Sequence, residues 1–176
     1  MKKICYLLFA TLLILPISAA GEQAKDLEFE FTQDDTYYSF RASFQVKTEP
    51  DYLIELLYDF NNLTEYSFNA KSVELIQQGD NWYDTSYTYR KFLVLQNKST
   101  WRRTLKLAEH KIVFELLSSE NNLKIMPEIL SSTGYYQVTQ ENDLCRVEYF
   151  QECLLKAGVF KQIYINTAKQ EAIAFI

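Results

Sequence analysis

From residue 71 to residue 155 the sequence reads as strand after strand. The stretches are KSVELIQQ (71–78), WYDTSYTYRKFLVL (82–95), STWRRTLKL (99–107), KIVFELLSS (111–119), LKIMPEILSSTGYYQVTQ (123–140) and LCRVEYFQECLL (144–155). Short polar turns divide them: Gly79-Asp80-Asn81, Gln96-Asn97, Glu109-His110, Glu120-Asn121-Asn122 and Glu141-Asn142-Asp143. Turns at hairpin spacing predict an antiparallel meander. Pro127 marks an edge, a bulge or an interruption in the fifth stretch. Gly79, Gly134 and Gly158 are expected at element boundaries. A sheet of this kind has one apolar face, and something must cover it.

The flanking sequence supplies the cover. LEFEF (27–31) and YYSFRASFQV (37–46) alternate as two more strands, the second with Tyr38, Phe40, Ala42, Phe44 and Val46 on one face. Thr48-Glu49-Pro50-Asp51 reads as a helix start, with Thr48 as N-cap and Pro50 in the first turn. Leu53, Ile54, Leu57 and Phe60 make its buried stripe, and Asn61-Asn62 ends it. After Gly158, VFKQIYINTAKQEAIAFI turns helical. Ile165, Ala168, Ala172 and Ile176 form one stripe, with Val159, Ile163 and Thr167 beside it. This last helix is the long element left to cover the apolar face, so the sheet must curl around it. The predicted class is α+β: a curled antiparallel sheet gripping a long C-terminal helix, with a short helical segment after the first long strand.

Residues 1–20, MKKICYLLFATLLILPISAA, stand apart. A basic start, an apolar run and a small-residue end read as a cleavable secretory leader of bacterial look, cut near Ala20. The run falls short of the about 20 residues a membrane span needs. Cys5 lies too early for a lipoprotein cleavage site. A periplasmic or secreted protein is expected, with no permanent membrane anchor after cleavage. Without Lys2 and Lys3, 16 of the 18 basic side chains remain against 23 acidic ones, a net charge of −7. That excess of acid argues against nucleic acid and anionic membrane surfaces as partners.

Element order and residues together resemble the START-like superfamily, also called polyketide cyclase (SRPBCC) or Bet v 1-like, the helix-grip fold. TEPDYLIELLYDFNNLTEYSFNAKSVELI is similar to its first helix, the helix exit (here Asp59, Phe60 and Leu63) and the next strand. STGYYQVTQENDLCRVEYFQECLL is similar to its last strand pair, and KAGVFKQIYINTAKQEAI to the entry of its C-terminal helix. Tyr66 and Phe68 replace the Trp or Pro usual after the first helix, and LEFEF adds a strand in front. The division is therefore a leader (1–20), an N-terminal extension with the added strand (21–36) and a START-like domain (37–176). The resemblance implies a hydrophobic molecule held between sheet and long helix.

Strand parity sorts the side chains that would meet such a molecule. The inward sets are Tyr83, Thr85, Tyr87 and Tyr89; Trp101, Arg103, Leu105 and Leu107; Ile112, Phe114 and Leu116; and Cys145, Val147, Tyr149, Gln151, Cys153 and Leu155. Expected cavity-lining residues are Tyr83, Tyr87, Tyr89, Trp101, Arg103, Phe114, Tyr149 and Gln151, with Ile163 and Thr167 from the last helix. The chain has 13 Tyr and 12 Phe, and aromatic walls with polar tips suit a pocket as well as a core. An inward Arg must be paired or must bind an anion. Arg103 is read as meeting a lipid or fatty-acid headgroup. The alternatives are a head that snorkels to water or a local acid. Tyr135 and Tyr136 cannot both face inward.

Catalytic signatures are missing from the text. His110 is the one His and sits in the turn AEHK, where solvation is expected. There is no G-x-S-x-G, no Cys-x-x-Cys and no phosphate loop. Cys145 and Cys153, if on one strand, are about 26 Å apart, too far for a disulfide, so two buried thiols are expected. No metal and no cofactor are expected. The sequons at Asn62 and Asn97 carry little weight beside a bacterial leader. A binding protein for a lipid or other hydrophobic small molecule is the first reading. A polyketide cyclase or aromatase using the same cavity is the second, and a protein-interaction domain with a filled interior the third.

Overall fold

Period-two sequence becomes sheet wherever the chain is described in the computed structural model, which covers residues 25–67, 70–89, 97–121, 127–156, 158 and 161–175. The proposed leader, residues 90–96 and Ile176 lie outside the described residues. The strands are β1 (Lys25–Asp34), β2 (Tyr37–Val46), β3 (Ala70–Gln78), β4 (Trp82–Tyr89), β5 (Asn97–Lys106), β6 (Lys111–Asn121), β7 (Ile129–Glu141) and β8 (Leu144–Leu155). The helices are α1 (Pro50–Tyr58), α2 (Leu63–Tyr66) and α3 (Lys161–Phe175). All strand pairs are antiparallel, in the order β1-β2-β8-β7-β6-β5-β4-β3, so the sheet is open, with β1 and β3 as its edges. The architecture is the predicted one: an antiparallel sheet, a short helical segment after β2 and a C-terminal helix.

Three of the hairpins turn on residues that tolerate left-handed backbone. Asp35, His110 and Asn142 all have positive φ, at 41°, 45° and 58°. His110 also reaches across the molecule: its Nε2 lies 2.8 Å from Asp51 Oδ1, tying the β5–β6 turn to the start of α1. The expected solvated His is thus half exposed but anchored.

Two local expectations are corrected. Thr48 is not the N-cap of α1. Glu49 holds that position without a side-chain cap, and Pro50 follows at the first turn. Thr48 instead offers its carbonyl oxygen to Cys145 Sγ at 3.0 Å. The helix also ends earlier than Asn61-Asn62. Asp59 adopts extended backbone and its carboxylate accepts from Asn61 N at 2.9 Å, starting a separate 3-10 turn over Phe60–Asn62. A short acid that caps the next turn competes with continuing the present helix.

Three apolar clusters hold the helices on one face. Leu53, Ile54 and Leu57 of α1 pack on Ile112, Phe114, Tyr136, Val138, Cys145 and Val147. Leu63 packs on Ala70, Tyr83 and Tyr87. Ile165 of α3 packs on Tyr38, Cys153 and Leu155, with Phe31, Tyr164 and Ala168 around them. Register puts Tyr38 opposite Cys153 and Phe44 opposite Val147, so α1 and α3 cover the two ends of the same inner face. Among the described residues no helix is long and apolar enough to cross a membrane.

Gly134 is a third correction. It lies inside β7, opposite Phe114, and not at an element boundary. A Cβ there would stand 2.4 Å from Phe114 Cζ and 2.2 Å from the Phe150 carbonyl oxygen. Only a residue without a side chain lets the Phe114 ring lie flat across β7.

Candidate functional site

Between the two covered ends, the inner face carries a floor of rings spanning five strands. Trp101 on β5 meets Phe114 on β6 edge-on at 6.1 Å. Phe114 stacks on Tyr149 of β8 at 5.8 Å and touches Tyr136 of β7 at the same separation. Tyr136 and Tyr149 lie 4.9 Å apart, and Phe40 of β2 continues the row at 5.8 Å from Tyr149. Such tilted and stacked contacts stabilise the floor beyond the area they bury. Phe40, Phe114 and Tyr136 are buried, but Trp101, Tyr149, Gln151 and Arg103 keep accessible surface. They are half-buried among the rings of this face and stay reachable by solvent.

Arg103 stands in the middle of this floor. Its guanidinium carbon is 5.7 Å from the Phe114 ring centre and 5.8 Å from that of Tyr136. The Tyr87 hydroxyl is within hydrogen-bonding reach. Burial works against its charge, but the Tyr87, Tyr136 and Tyr83 hydroxyls outweigh it, and its pKa lies above the ordinary value. Tyr149 is pushed well above the usual phenol range, by burial first and by Tyr136 next, so its hydroxyl stays protonated at neutral pH.

The remaining expected residues divide by element. Tyr83 is buried under the end of α1, where its hydroxyl donates to the Tyr58 carbonyl oxygen at 2.7 Å. Tyr87 is buried beside it, and Tyr89, partly buried, shares a hydrogen bond with Ser99 Oγ at 2.9 Å. Gln151 is on the inner face but engaged at both ends: Tyr149 donates to its oxygen at 2.5 Å, and its nitrogen donates to Ser132 Oγ at 3.1 Å.

Ile163 and Thr167 are corrections. Ile163 is 59% exposed and Thr167 is exposed, on the outer side of α3. Thr167 Oγ1 donates back to the Ile163 carbonyl oxygen at 2.9 Å. At about 100° per residue, Ile163 and Thr167 share one stripe, and Ile165 stands about 200° round from Ile163. Packing of Ile165 on Tyr38 and Cys153 therefore turns the Ile163 stripe to water. Phe40 and Tyr136 are the floor residues absent from the expected lining. Parity groups Phe40 with the apolar face of β2 without saying which way that face points, and it leaves Tyr135 and Tyr136 to be separated by register.

Other features lie away from this floor. Asp84, buried on the outer face, accepts from Arg102 Nε at 2.8 Å and from Gln77 Nε2 at 2.6 Å, and the Arg102 guanidinium lies over the Trp82 ring. Two open surface depressions, of ≈ 370 Å³ beside Tyr52, Glu55 and Leu56 and ≈ 430 Å³ beside Asn81 and Lys106, are outside it. Cys145 and Cys153 are free and buried. Among the described residues no His, Cys, Asp and Glu cluster could hold a metal ion.

No protein-family model matches the chain, and no curated protein matches its sequence. Solved structures do match. Zhui aromatase/cyclase from Streptomyces sp. R1128 is 13% identical, with a TM-score of 0.63 over 78% of this chain and 88% of that one. A STAR-related lipid transfer protein from Xanthomonas axonopodis is 13% identical, with a TM-score of 0.59 over 82% and 92%. Ginseng major latex-like protein 151 from Panax ginseng is 9% identical, with a TM-score of 0.52 over 78% and 95%. At these identities the likeness is one of backbone, and it agrees with the strand order and the two covering helices: the fold is the helix grip that these structures share.

Proposed function

We propose that this is a binding protein for a lipid or another hydrophobic small molecule, held on the inner face between the sheet and α3. The observation that carries the reading is the accessible aromatic floor: Trp101 and Tyr149 keep solvent-reachable surface on the inner face whose two ends α1 and α3 cover. Apolar rings that stay wet gain most when a ligand displaces the water. The leader-like residues 1–20 support a site of action in the periplasm or outside the cell. A lipid transfer protein among the structural matches supports the same reading.

A cyclase is the second reading, favoured by the aromatase/cyclases of the same fold. Acid–base work on a bound chain calls for a carboxylate among the inner tyrosines. Asp84, the buried carboxylate of the described residues, lies on the outer face and is paired with Arg102. That favours binding over turnover. Native mass spectrometry of protein released from the periplasm tests the proposal. A co-purifying lipid mass is expected. A bare protein mass from several lipid-rich preparations overturns it.

A further inference from the structure

Among the described residues, the inner face holds a charge with no counter-charge. Arg103 makes no ion pair with any described residue; the described salt bridges belong to Arg102, Arg146, Lys106, Lys156, Lys161 and His110. What surrounds it is aromatic: the faces of Phe114 and Tyr136, and the hydroxyls of Tyr83, Tyr87 and Tyr149. A guanidinium has five N–H donors, and Tyr87 can take one. Among the described residues no carboxylate pairs with the others. Arg103 keeps accessible surface on the inner face, beside the rings of the floor. Ring faces stabilise a cation weakly compared with an oxyanion, and a cation beside apolar walls is costly until something neutralises it.

We infer that the inner face receives an amphipathic ligand by its head, a single oxyanion, with Arg103 as counter-ion and the Trp101–Phe114–Tyr149 rings against the chain. This rests on the proposed binding function and narrows it to a substrate class. When Arg103 donates to the Tyr87 oxygen, the Tyr87 O–H is free to be a second donor to the same anion. A carboxylate and a phosphate both fit this chemistry. Neutral sterol-like or hydrocarbon ligands, and amines, leave Arg103 unmatched.

The test is a set of twelve-carbon probes below micelle formation, titrated calorimetrically into the purified protein: laurate, dodecyl phosphate, dodecanol and dodecylamine. Laurate, dodecyl phosphate or both should bind at least about tenfold tighter than dodecanol, the scale of one charge-assisted contact. Whichever anion binds tighter identifies the head. Arg103→Gln should abolish the preference and leave dodecanol affinity within about twofold, while Arg103→Lys keeps part of the preference. Equal affinity of the wild type for anions and dodecanol overturns the inference and leaves the binding function standing. Failure to bind any probe overturns both. The wild-type series decides the matter even if a variant does not fold.

Discussion

Phe114 lies across Gly134: the two are register partners on β6 and β7, and the ring occupies the space that any side chain at 134 would need. The same ring contacts Trp101, Tyr136, Tyr149 and Arg103. One missing side chain thus sets the position of the whole floor.

Gly134→Ala should therefore destabilise the protein by about 1–3 kcal/mol, the usual range for overpacking. The added methyl meets a backbone oxygen as well as the ring, so relaxation is limited. Denaturant midpoints measure it. Phe114→Leu in the Gly134→Ala background should recover part of the loss, since it removes one of the two clashes. Simple additivity of the two substitutions would argue against this contact.

The outer-face pair predicts acid sensitivity. Hydrogen bonds from Arg102 hold the Asp84 carboxyl below the usual range, against the effect of burial and with help from Gln77. Its folded pKa is lower than its unfolded one, so the stabilisation is fully present above about pH 4. It is lost as pH falls from there through the folded pKa. Asp84→Asn should lower the urea midpoint at pH 7 and flatten its fall below about pH 4. A variant with the wild-type acid slope would show that other groups dominate.

The face of α3 can be tested with two isoleucines two residues apart. Ile165→Ala should cost about 2–4 kcal/mol, because a buried side chain is lost against Tyr38 and Cys153. Ile163→Ser should stay within about 0.5 kcal/mol of wild type, as exposed positions do. Reversed magnitudes in chemical denaturation would mean that the helix is turned the other way.

Burial pushes the Cys145 and Cys153 thiols up, with Glu49 adding to the effect at Cys145. Both should resist iodoacetamide at pH 8 in the native state and react readily in denaturant, because the thiolate is the reactive form. Peptide mapping by mass spectrometry distinguishes the two sites. Fast native alkylation of either would place it outside the packed clusters.

Much of this was legible in the residues. Period two is a strong signal, and on β4, β5, β6 and β8 it placed Tyr83, Trp101, Arg103, Phe114 and Tyr149 on one face before register was known. A helix gives a weaker one. Around α3 both Ile163 and Ile165 present apolar side chains, and only contact with Tyr38 and Cys153 chooses between them. Gly134 reads as a breaker in one dimension and becomes a socket only when β6 lies beside it. Likewise, the engagement of Gln151 by Tyr149 and Ser132 joins two strands, and Asp59 had to win a local competition for backbone donors that apolar spacing does not record.

The strand order carries a consequence for synthesis. β2 pairs with β8, so partners such as Ser43 and Glu148 are separated by roughly a hundred residues of chain. Until β8 leaves the ribosome, the early hairpin has no neighbour on its inner flank, and α1 has no Cys145 or Val147 beneath it. A nascent chain stopped before residue 144 would lack the middle of its sheet, not an edge. Joining of the early hairpin to the rest of the sheet must wait for β8, and it rests on long-distance contacts.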